Sequence, residues 1–272
     1  MAARLQVLGL AAMIAACTAP PAPGPSTAGA GLQHAASAGQ AGLDPAVEAA
    51  LRRMASTLAA APALTVRLTS LKEVRLRPDD DQQVALGATV AVGLRRPDRI
   101  AALVGGDRGS FRLWFDGETA TLLSLTANAY ARAALPGDTE TFLDALEQRL
   151  GVELPLRDLL APDPYAALVG AGTTGVHLGR TLVNGTPCEH YALRNRDVDW
   201  QIWIAAGDRP LPCRLVVADR TVAGAPRTVL EFQAWDLRPR LPDRTFVFAA
   251  PPGATELPWL ERRAAAAVEG RP

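Results

Sequence analysis

The feature that most constrains the fold is an alternation of apolar and polar residues with a period of two, which begins after Pro62. In the segment 64–69, leucine and valine alternate with threonine and arginine, and the segments 84–94 and 111–115 repeat the pattern. Because successive residues of a strand point to opposite faces of a sheet, these segments are predicted to be antiparallel strands with one buried face. In 84–94 the other parity carries glycine and threonine.

Turn signals separate the predicted strands. Asp116-Gly117 lies between two of them and is typical of a hairpin, and Arg96-Pro97-Asp98 marks another turn. Strands resume near Gly175 and run to Trp235, with a further turn at Asn184-Gly185. The pattern gives about ten strands, enough for a single sheet to curl. The sequence does not alternate strands with helices, which argues against a Rossmann fold or a TIM barrel.

Helical periodicity is confined to short segments. Asp44 and Pro45 are suited to begin a helix, and apolar residues then recur at helical spacing until Pro62 stops the run. A second apolar helix face spans 139–150, and a short helix is predicted near Tyr165. The sequence therefore predicts a mainly β (α+β) domain, in which one curled antiparallel sheet has an N-terminal helix and a helical insertion midway.

The N-terminus has the pattern of a lipoprotein signal over residues 1–17. Arg4 is followed by a short apolar run and by Ala15-Ala16-Cys17, an order typical of export signals. The apolar run is shorter than the roughly 20 residues that cross a bilayer. A cysteine in this place resembles a bacterial lipobox, so Cys17 is the predicted site of acylation and the membrane anchor. The alternative is ordinary signal cleavage near Ala16 or Ala22, with the cysteine incidental.

The expected location is the bacterial periplasm, as a membrane-anchored lipoprotein. Thr18 after the cysteine fits sorting to the outer membrane by the enterobacterial rule. Residues 18–43 consist largely of proline, alanine, glycine and serine without charge, and predict a disordered tether. The folded domain is predicted at 44–254 and a C-terminal tail at 255–272. Basic and acidic residues balance at 28 each, so nothing indicates a nucleic-acid partner.

The remaining polar residues form no recognisable catalytic or metal-binding motif. His34 lies in the predicted tether, and His177 and His190 lie on separate predicted strands. Cys188 and His190 would face the same side of a strand, but a zinc site needs three or four ligands, and no CxxC or HExxH completes one. The glycine-rich segment 170–175 precedes a strand instead of joining a strand to a helix, so it is not a dinucleotide loop. The sequence predicts no enzyme, no cofactor and no metal.

Cys188 and Cys213 are candidates for a disulfide, which export would permit. If 186–194, 198–206 and 210–219 are successive hairpin strands, one strand separates the two cysteines. Two strand spacings come to roughly 10 Å, beyond the limit of about 7 Å between bonded cysteine Cα atoms. Both cysteines lie near a proline at a strand start, where a bend could shorten that distance. The residues alone leave the bond open.

Several motifs together resemble a family of predicted periplasmic proteins, domain of unknown function 2092. They occur in order within 44–254 and comprise Asp116-Gly117, Leu154-Pro155, Asp158-Leu159-Leu160, Trp200-Gln201 and Leu211-Pro212. Each motif alone is weak, and the combination is specific. That family resembles the LolA, LolB and RseB superfamily of lipoprotein carriers and stress sensors. The resemblance implies an unclosed β-barrel whose helices form a lid over an apolar cavity that accepts acyl chains.

Large apolar residues of inward parity are the candidate lining of such a cavity. They are Phe111, Leu113, Phe115, Trp200, Ile202, Ile204, Leu230 and Phe232. In a closed core the same residues would simply fill the interior, and periodicity does not separate the two arrangements.

The leading functional hypothesis is a non-enzymatic envelope lipoprotein that binds or carries a lipid or lipoprotein acyl chain, such as palmitate. The alternative is a signalling or assembly module that binds an envelope protein partner, as the resemblance to stress sensors implies. A hydrolase is disfavoured, because no nucleophile and base can be paired in the sequence.

Overall fold

A computed structural model describes residues 42–77, 82–150, 154 and 156–259. In this part of the chain the period-two segments form a single 12-stranded sheet, which confirms the predicted mainly β fold. The strands are β1 (Ala63–Arg75), β2 (Gln83–Arg95), β3 (Arg99–Gly106), β4 (Gly109–Phe115), β5 (Thr119–Ser124), β6 (Ala129–Ala134), β7 (Thr174–Val183), β8 (Thr186–Arg194), β9 (Val198–Ala205), β10 (Pro212–Asp219), β11 (Arg227–Asp236) and β12 (Thr255–Glu256). The α-helices are α1 (Pro45–Ala59), α2 (Thr139–Leu150), α3 (Arg157–Leu160) and α4 (Pro164–Leu168).

The order of the strands leaves the sheet unclosed. From edge to edge it is β12-β6-β5-β4-β3-β2-β1-β11-β10-β9-β8-β7. Neighbouring strands are antiparallel except at β12, where Thr255 and Glu256 pair in parallel with Ala129 and Tyr130 of β6. Thr255 and Glu256 belong to the segment that the sequence assigns to the tail. The pairing of β1 with β11 joins the N-terminal hairpins to the C-terminal ones.

Helix α1 begins where its sequence predicts. The Asp44 side chain accepts a hydrogen bond from the N–H of Ala46 at 2.7 Å, and Pro45 takes the first position, where a missing N–H costs nothing. Its buried residues recur at helical spacing and are Val47, Ala50, Leu51, Met54, Ala55 and Leu58. In the part of the chain that the structure describes, no helix is long and apolar enough to cross a bilayer.

The two faces of the sheet have different surroundings. The inner face, defined as the face that α1 covers, carries Leu64, Val66 and Leu68 of β1, each at most 1% exposed. These side chains join buried residues of α1, α2 and α3 in one hydrophobic core. The outer face is the opposite one and carries Thr65 and Arg67, because adjacent residues of a strand alternate.

A segment after β11 crosses the outer face, and we call residues 237–256 the C-terminal strap. Leu241 lies over Gly93 of β2, close enough that a Cβ on that glycine would meet its side chain at 3.6 Å. Arg95 fixes this contact, because its Nη1 donates to the carbonyl of Leu241 at 3.0 Å. Further along, Phe248 packs against aromatic rings of β4 and β6. The strap ends in β12, which covers the free edge of β6.

The packing of α1 on the inner face should dominate the stability of the domain. We expect Leu58→Ala to lower the free energy of unfolding by about 2–5 kcal/mol, because Leu58 is fully buried and its loss leaves a cavity. Urea denaturation followed by circular dichroism measures this. Arg53→Ala, an exposed position on the same helix, is the matched control and should change stability by less than about 0.5 kcal/mol. Equal effects of the two substitutions would contradict the assignment of the core.

Candidate functional site

The eight residues proposed to line a cavity all have inner-face parity. Seven are part of the hydrophobic core, namely Leu113, Phe115, Trp200, Ile202, Ile204, Leu230 and Phe232. Phe111, near the start of β4, is half-buried. The sequence reasoning therefore placed these side chains on one face, and the structure brings them together there.

Helical side chains fill the space next to these residues. Phe142 of α2 stacks on Phe115, with ring centroids 4.7 Å apart and an interplanar angle of 7°. Leu146 and Leu159, from α2 and α3, are buried in the same core. The Trp200 indole N–H is also satisfied, since it donates to the Asn195 side-chain oxygen at 3.1 Å. In the described residues, side chains of α2 and α3 thus pack in the same core as the proposed lining.

An open groove lies instead on the outer face, where four neighbouring strands meet. Its volume is about 540 Å³, within the range of roughly 300–1,000 Å³ typical of small-ligand sites. Side chains and backbone of β11, β1, β2 and β3 line it, from the residues Thr69, Ser70, Leu71, Gly87, Ala88, Thr89, Gly105, Val229 and Glu231. We call this surface the outer groove.

Small side chains on neighbouring strands explain why the surface of the sheet has a depression at this point. Thr69 of β1 pairs across the sheet with Thr89 of β2, and Thr89 with Gly105 of β3. Gly87 forms the floor beside Leu71, which is 48% exposed and acts as a wall. The signal for this groove was present in the sequence, as glycine and threonine on the outward parity of 84–94. Sequence reasoning missed it because exposed small residues on a strand usually need no explanation.

Three polar groups around the outer groove already have partners within the protein. The Thr89 hydroxyl donates to the carbonyl of Gly105 at 3.2 Å, and the N–H of Gly87 donates to the Asp107 carboxylate at 2.7 Å. Glu231 accepts from the Arg214 guanidinium at 2.5 Å. These three groups therefore need no hydrogen bond from a ligand, and the apolar side chains of Leu71, Ala88 and Val229 in the lining favour an apolar one.

The cation of Arg67, beside the outer groove, differs from that of Arg214, which forms an ion pair with Glu231. Arg67 lies on the outer face two residues before Thr69 and is exposed. Across the strands it faces Ala91 and Ala234, whose short side chains leave space around it. Among the described residues Arg67 forms no ion pair. Its charge is thus available to a ligand anion.

The two strand histidines are held by side chains of neighbouring strands. His190 lies 3.0 Å from the Gln201 side-chain oxygen and stacks on Trp203, with ring centroids 3.9 Å apart. Burial lowers the pKa of His190, which favours the neutral ring. His177 lies 2.9 Å from the Glu189 carboxylate. Within the described ranges no group of three or more candidate ligands is suited to a metal.

A second crevice, of about 360 Å³, lies between α1 and α4. Arg52 stacks 3.8 Å above the ring of Tyr165, and the Tyr165 hydroxyl lies 3.2 Å from Glu48 as a hydrogen-bond donor. The hydrogen bond from Arg52 lowers the pKa of Glu48, while burial raises the pKa of Tyr165. These contacts fix α4 to α1, and they are consistent with a structural role.

Cys188 and Cys213 form a disulfide with an S–S distance of 2.16 Å and 6.9 Å between their Cα atoms. A bulge explains how the bond spans the intervening strand. The β10–β9 register shifts between Pro212 and Arg214, so Cys213 is an extra residue that the regular alternation does not place. Cys213 packs with Cys188 and Trp203 in a small cluster separate from the main core. The estimate of two full strand spacings, which argued against the bond, did not allow for this bulge.

Residues 47–259 match the family described as "Predicted periplasmic protein (DUF2092)". The chain belongs to this family. The family match extends a few residues beyond the predicted domain end at 254 and includes β12. A search of curated proteins found no match.

Several solved structures resemble this DUF2092 protein at low sequence identity. MucB is 11% identical, with 76% of this chain and 64% of MucB covered and a TM-score of 0.41. A LolA superfamily protein of Nitrosomonas europaea is 12% identical, with 74% and 97% covered and a TM-score of 0.37. The lipoprotein LppX of Mycobacterium tuberculosis is 13% identical, with 71% and 96% covered and a TM-score of 0.39.

The disulfide should contribute measurably to the stability of this DUF2092 protein. The two cysteines are 25 residues apart in sequence, and a cross-link closing such a loop is worth about 3 kcal/mol in the chain-entropy description. We expect the double substitution Cys188→Ala and Cys213→Ala to lower the free energy of unfolding by that amount in urea. A reducing agent should destabilise the wild-type protein and leave the double variant unchanged. Two free thiols in the exported wild-type protein, found by mass spectrometry after alkylation, would rule out the bond.

Proposed function

We propose that this DUF2092 protein is a non-enzymatic lipoprotein of the bacterial envelope that binds an acyl chain of a lipid or lipoprotein. The outer groove is the observation that supports the proposal. It combines an apolar wall, from Leu71 and Val229, with a floor in which the Gly87 N–H and the Thr89 hydroxyl are already paired.

The hydrogen bonding of the backbone in the groove floor favours a hydrocarbon ligand over a peptide. The strands that form its floor, β11, β1, β2 and β3, are each paired with a neighbour on both sides. Their N–H and C=O groups are therefore used within the sheet, and a peptide lying on the face would leave its own backbone groups without protein partners. An acyl chain has no such groups and gains about 0.8 kcal/mol for each methylene that it buries.

The proposed anchor is Cys17, which lies outside the described residues together with 18–41 of the predicted tether. The described chain begins next to the sheet, where Leu43 packs close to Gly175 and Leu193 at the start of β7 and the end of β8. A flexible chain with the length of residues 18–43 has an end-to-end distance of roughly 25–30 Å. Such a tether would keep the domain near a membrane without fixing its orientation, and outer-membrane sorting remains part of the proposal.

A second candidate function, binding of a protein partner, is favoured by the free edge at β7. Among the described strands β7 pairs only with β8, so one row of its backbone groups has no partner strand in this part of the chain. Val176, Leu178 and Leu182 on it are 56%, 46% and 68% exposed. Exposed apolar edge strands are sites at which an extended segment of another protein adds as a further strand.

The anchor can be tested directly. We expect Cys17→Ser to release the protein from the membrane fraction, because the acyl groups on Cys17 are the proposed membrane anchor. Cell fractionation with immunoblotting measures the distribution, and Ser26→Ala, a substitution within the predicted tether that leaves all three cysteines in place, serves as the control. If the Cys17→Ser protein stays with membranes washed at high salt, the anchor proposal fails.

Acyl-chain binding can be tested on the full chain carrying Cys17→Ser, which has no acyl group of its own and needs no detergent. We expect saturable one-to-one binding of a fluorescent fatty acid, with a midpoint that shifts when unlabelled palmitate competes. Circular dichroism establishes that the protein is folded, and urea-unfolded protein is the control for non-specific adsorption. If the folded protein does not bind the probe, the acyl proposal fails, and partner binding at β7 becomes the leading function. Cross-linking in cells would then identify a protein that binds the wild type and does not bind the Leu182→Glu variant.

A further inference from the structure

We propose that the outer groove is a binding site for one fatty acid, whose hydrocarbon chain lies along the groove and whose carboxylate binds Arg67. The inference rests on the proposed acyl function and names its site and its ligand class. It places the ligand on the face opposite to the helices, so that the hydrophobic core stays intact.

The size and position of the groove match a single chain. Its volume of about 540 Å³ lies in the middle of the range for small ligands, roughly 300–1,000 Å³. It spans the outer face between Val229 of β11 and Gly105 of β3, with Leu71 rising between them. The protein already shows that this face accepts an apolar group over a glycine, because Leu241 of the C-terminal strap lies over Gly93 in the same way.

The charges at the Arg67 end of the groove, away from Asp107 at Gly87, favour an acidic head group there. Arg67 lies on the same face as Thr69 in the groove lining, and within the described part of the chain it has no carboxylate partner. Glu231, the acidic residue of the lining, is neutralised by Arg214 at 2.5 Å. A carboxylate next to Arg67 would thus gain a charge-assisted bond, which a guanidinium can make with both oxygens.

A second arginine offers a matched comparison. Arg112 belongs to the same row across the sheet as Arg67, connected through Ala91 and Leu103. It lies three strands away, a distance of roughly 14 Å at the usual strand spacing, and its guanidinium lies 4.9 Å from the ring of Trp114. A head group at the groove is beyond the reach of Arg112.

The experiment uses the full chain carrying Cys17→Ser and compares dodecanoic acid with 1-dodecanol by competition against a fluorescent fatty acid. Gly87→Val and Gly105→Val fill the groove, and at both positions a Cβ meets neighbours only at ordinary contact distances of 3.5 Å or more. We expect each to weaken binding of both compounds by about tenfold or more. Arg67→Gln should weaken the acid by about tenfold and change the alcohol by less than about twofold. Arg112→Gln, and Ala134→Val on the exposed surface of β6, should match the parent protein.

Several outcomes would overturn the assignment, and they are distinct from failure of the acyl function. If both valine variants are folded and bind as the parent does, while Trp200→Leu binds weakly, the site lies under the helices. If Arg67→Gln weakens acid and alcohol equally, the arginine does not bind the head group. A lysophospholipid that binds much more tightly than the acid would exclude a fatty acid as the preferred ligand. If the parent protein binds no acyl compound at all, the proposed function itself fails.

Discussion

An antiparallel sheet that does not close on itself has an apolar face to bury and two edges with unpaired backbone groups. In this chain the contact between α1 and the inner face meets the first need, because Leu51, Met54 and Leu58 cover the apolar side chains of β1 and its neighbours. Within the residues that the structure describes, the second need is met at one edge, where the C-terminal strap supplies β12. The rest of the architecture follows from these contacts. The helices lie on one face, the C-terminal strap crosses part of the other, and β7 forms an edge of the sheet.

Local pattern was enough to predict most of the elements. Helix α1 follows from the Asp44 cap, and α2 extends over the predicted 139–150. Parity also grouped the inner-face residues correctly, since each element has one period and one buried side. What parity could not reveal was the distance between the sheet and its helices. The stacking of Phe142 on Phe115 depends on where α2 lies in three dimensions, and that contact turns a possible cavity lining into a packed core.

Other features escaped the sequence because they depend on a departure from regularity or on distant residues. The bulge at Cys213 breaks the rule that residues two apart face the same way, and the disulfide depends on it. The pairing of Glu256 with Tyr130 joins residues that no local pattern relates. The outer groove arises where small residues on three adjacent strands coincide, and this is visible only once the register of β1, β2 and β3 is known. The same register places Arg67 opposite Ala91 and Ala234, next to the outer groove.

The seam between β1 and β11 has a consequence for the order in which the chain folds. Strands β1 to β6 form successive hairpins, and so do β7 to β11, whereas β1 and β11 pair residues such as Lys72 and Thr228 that are far apart in sequence. Local hairpins close quickly, and a contact across such a long loop is delayed by the entropy of closure. A chain that emerges from its N-terminus will therefore expose β1 as a bare edge until β11 arrives. During that interval the unpaired backbone groups of β1 are open to pairing with another chain, and β11 removes this hazard when it pairs with β1.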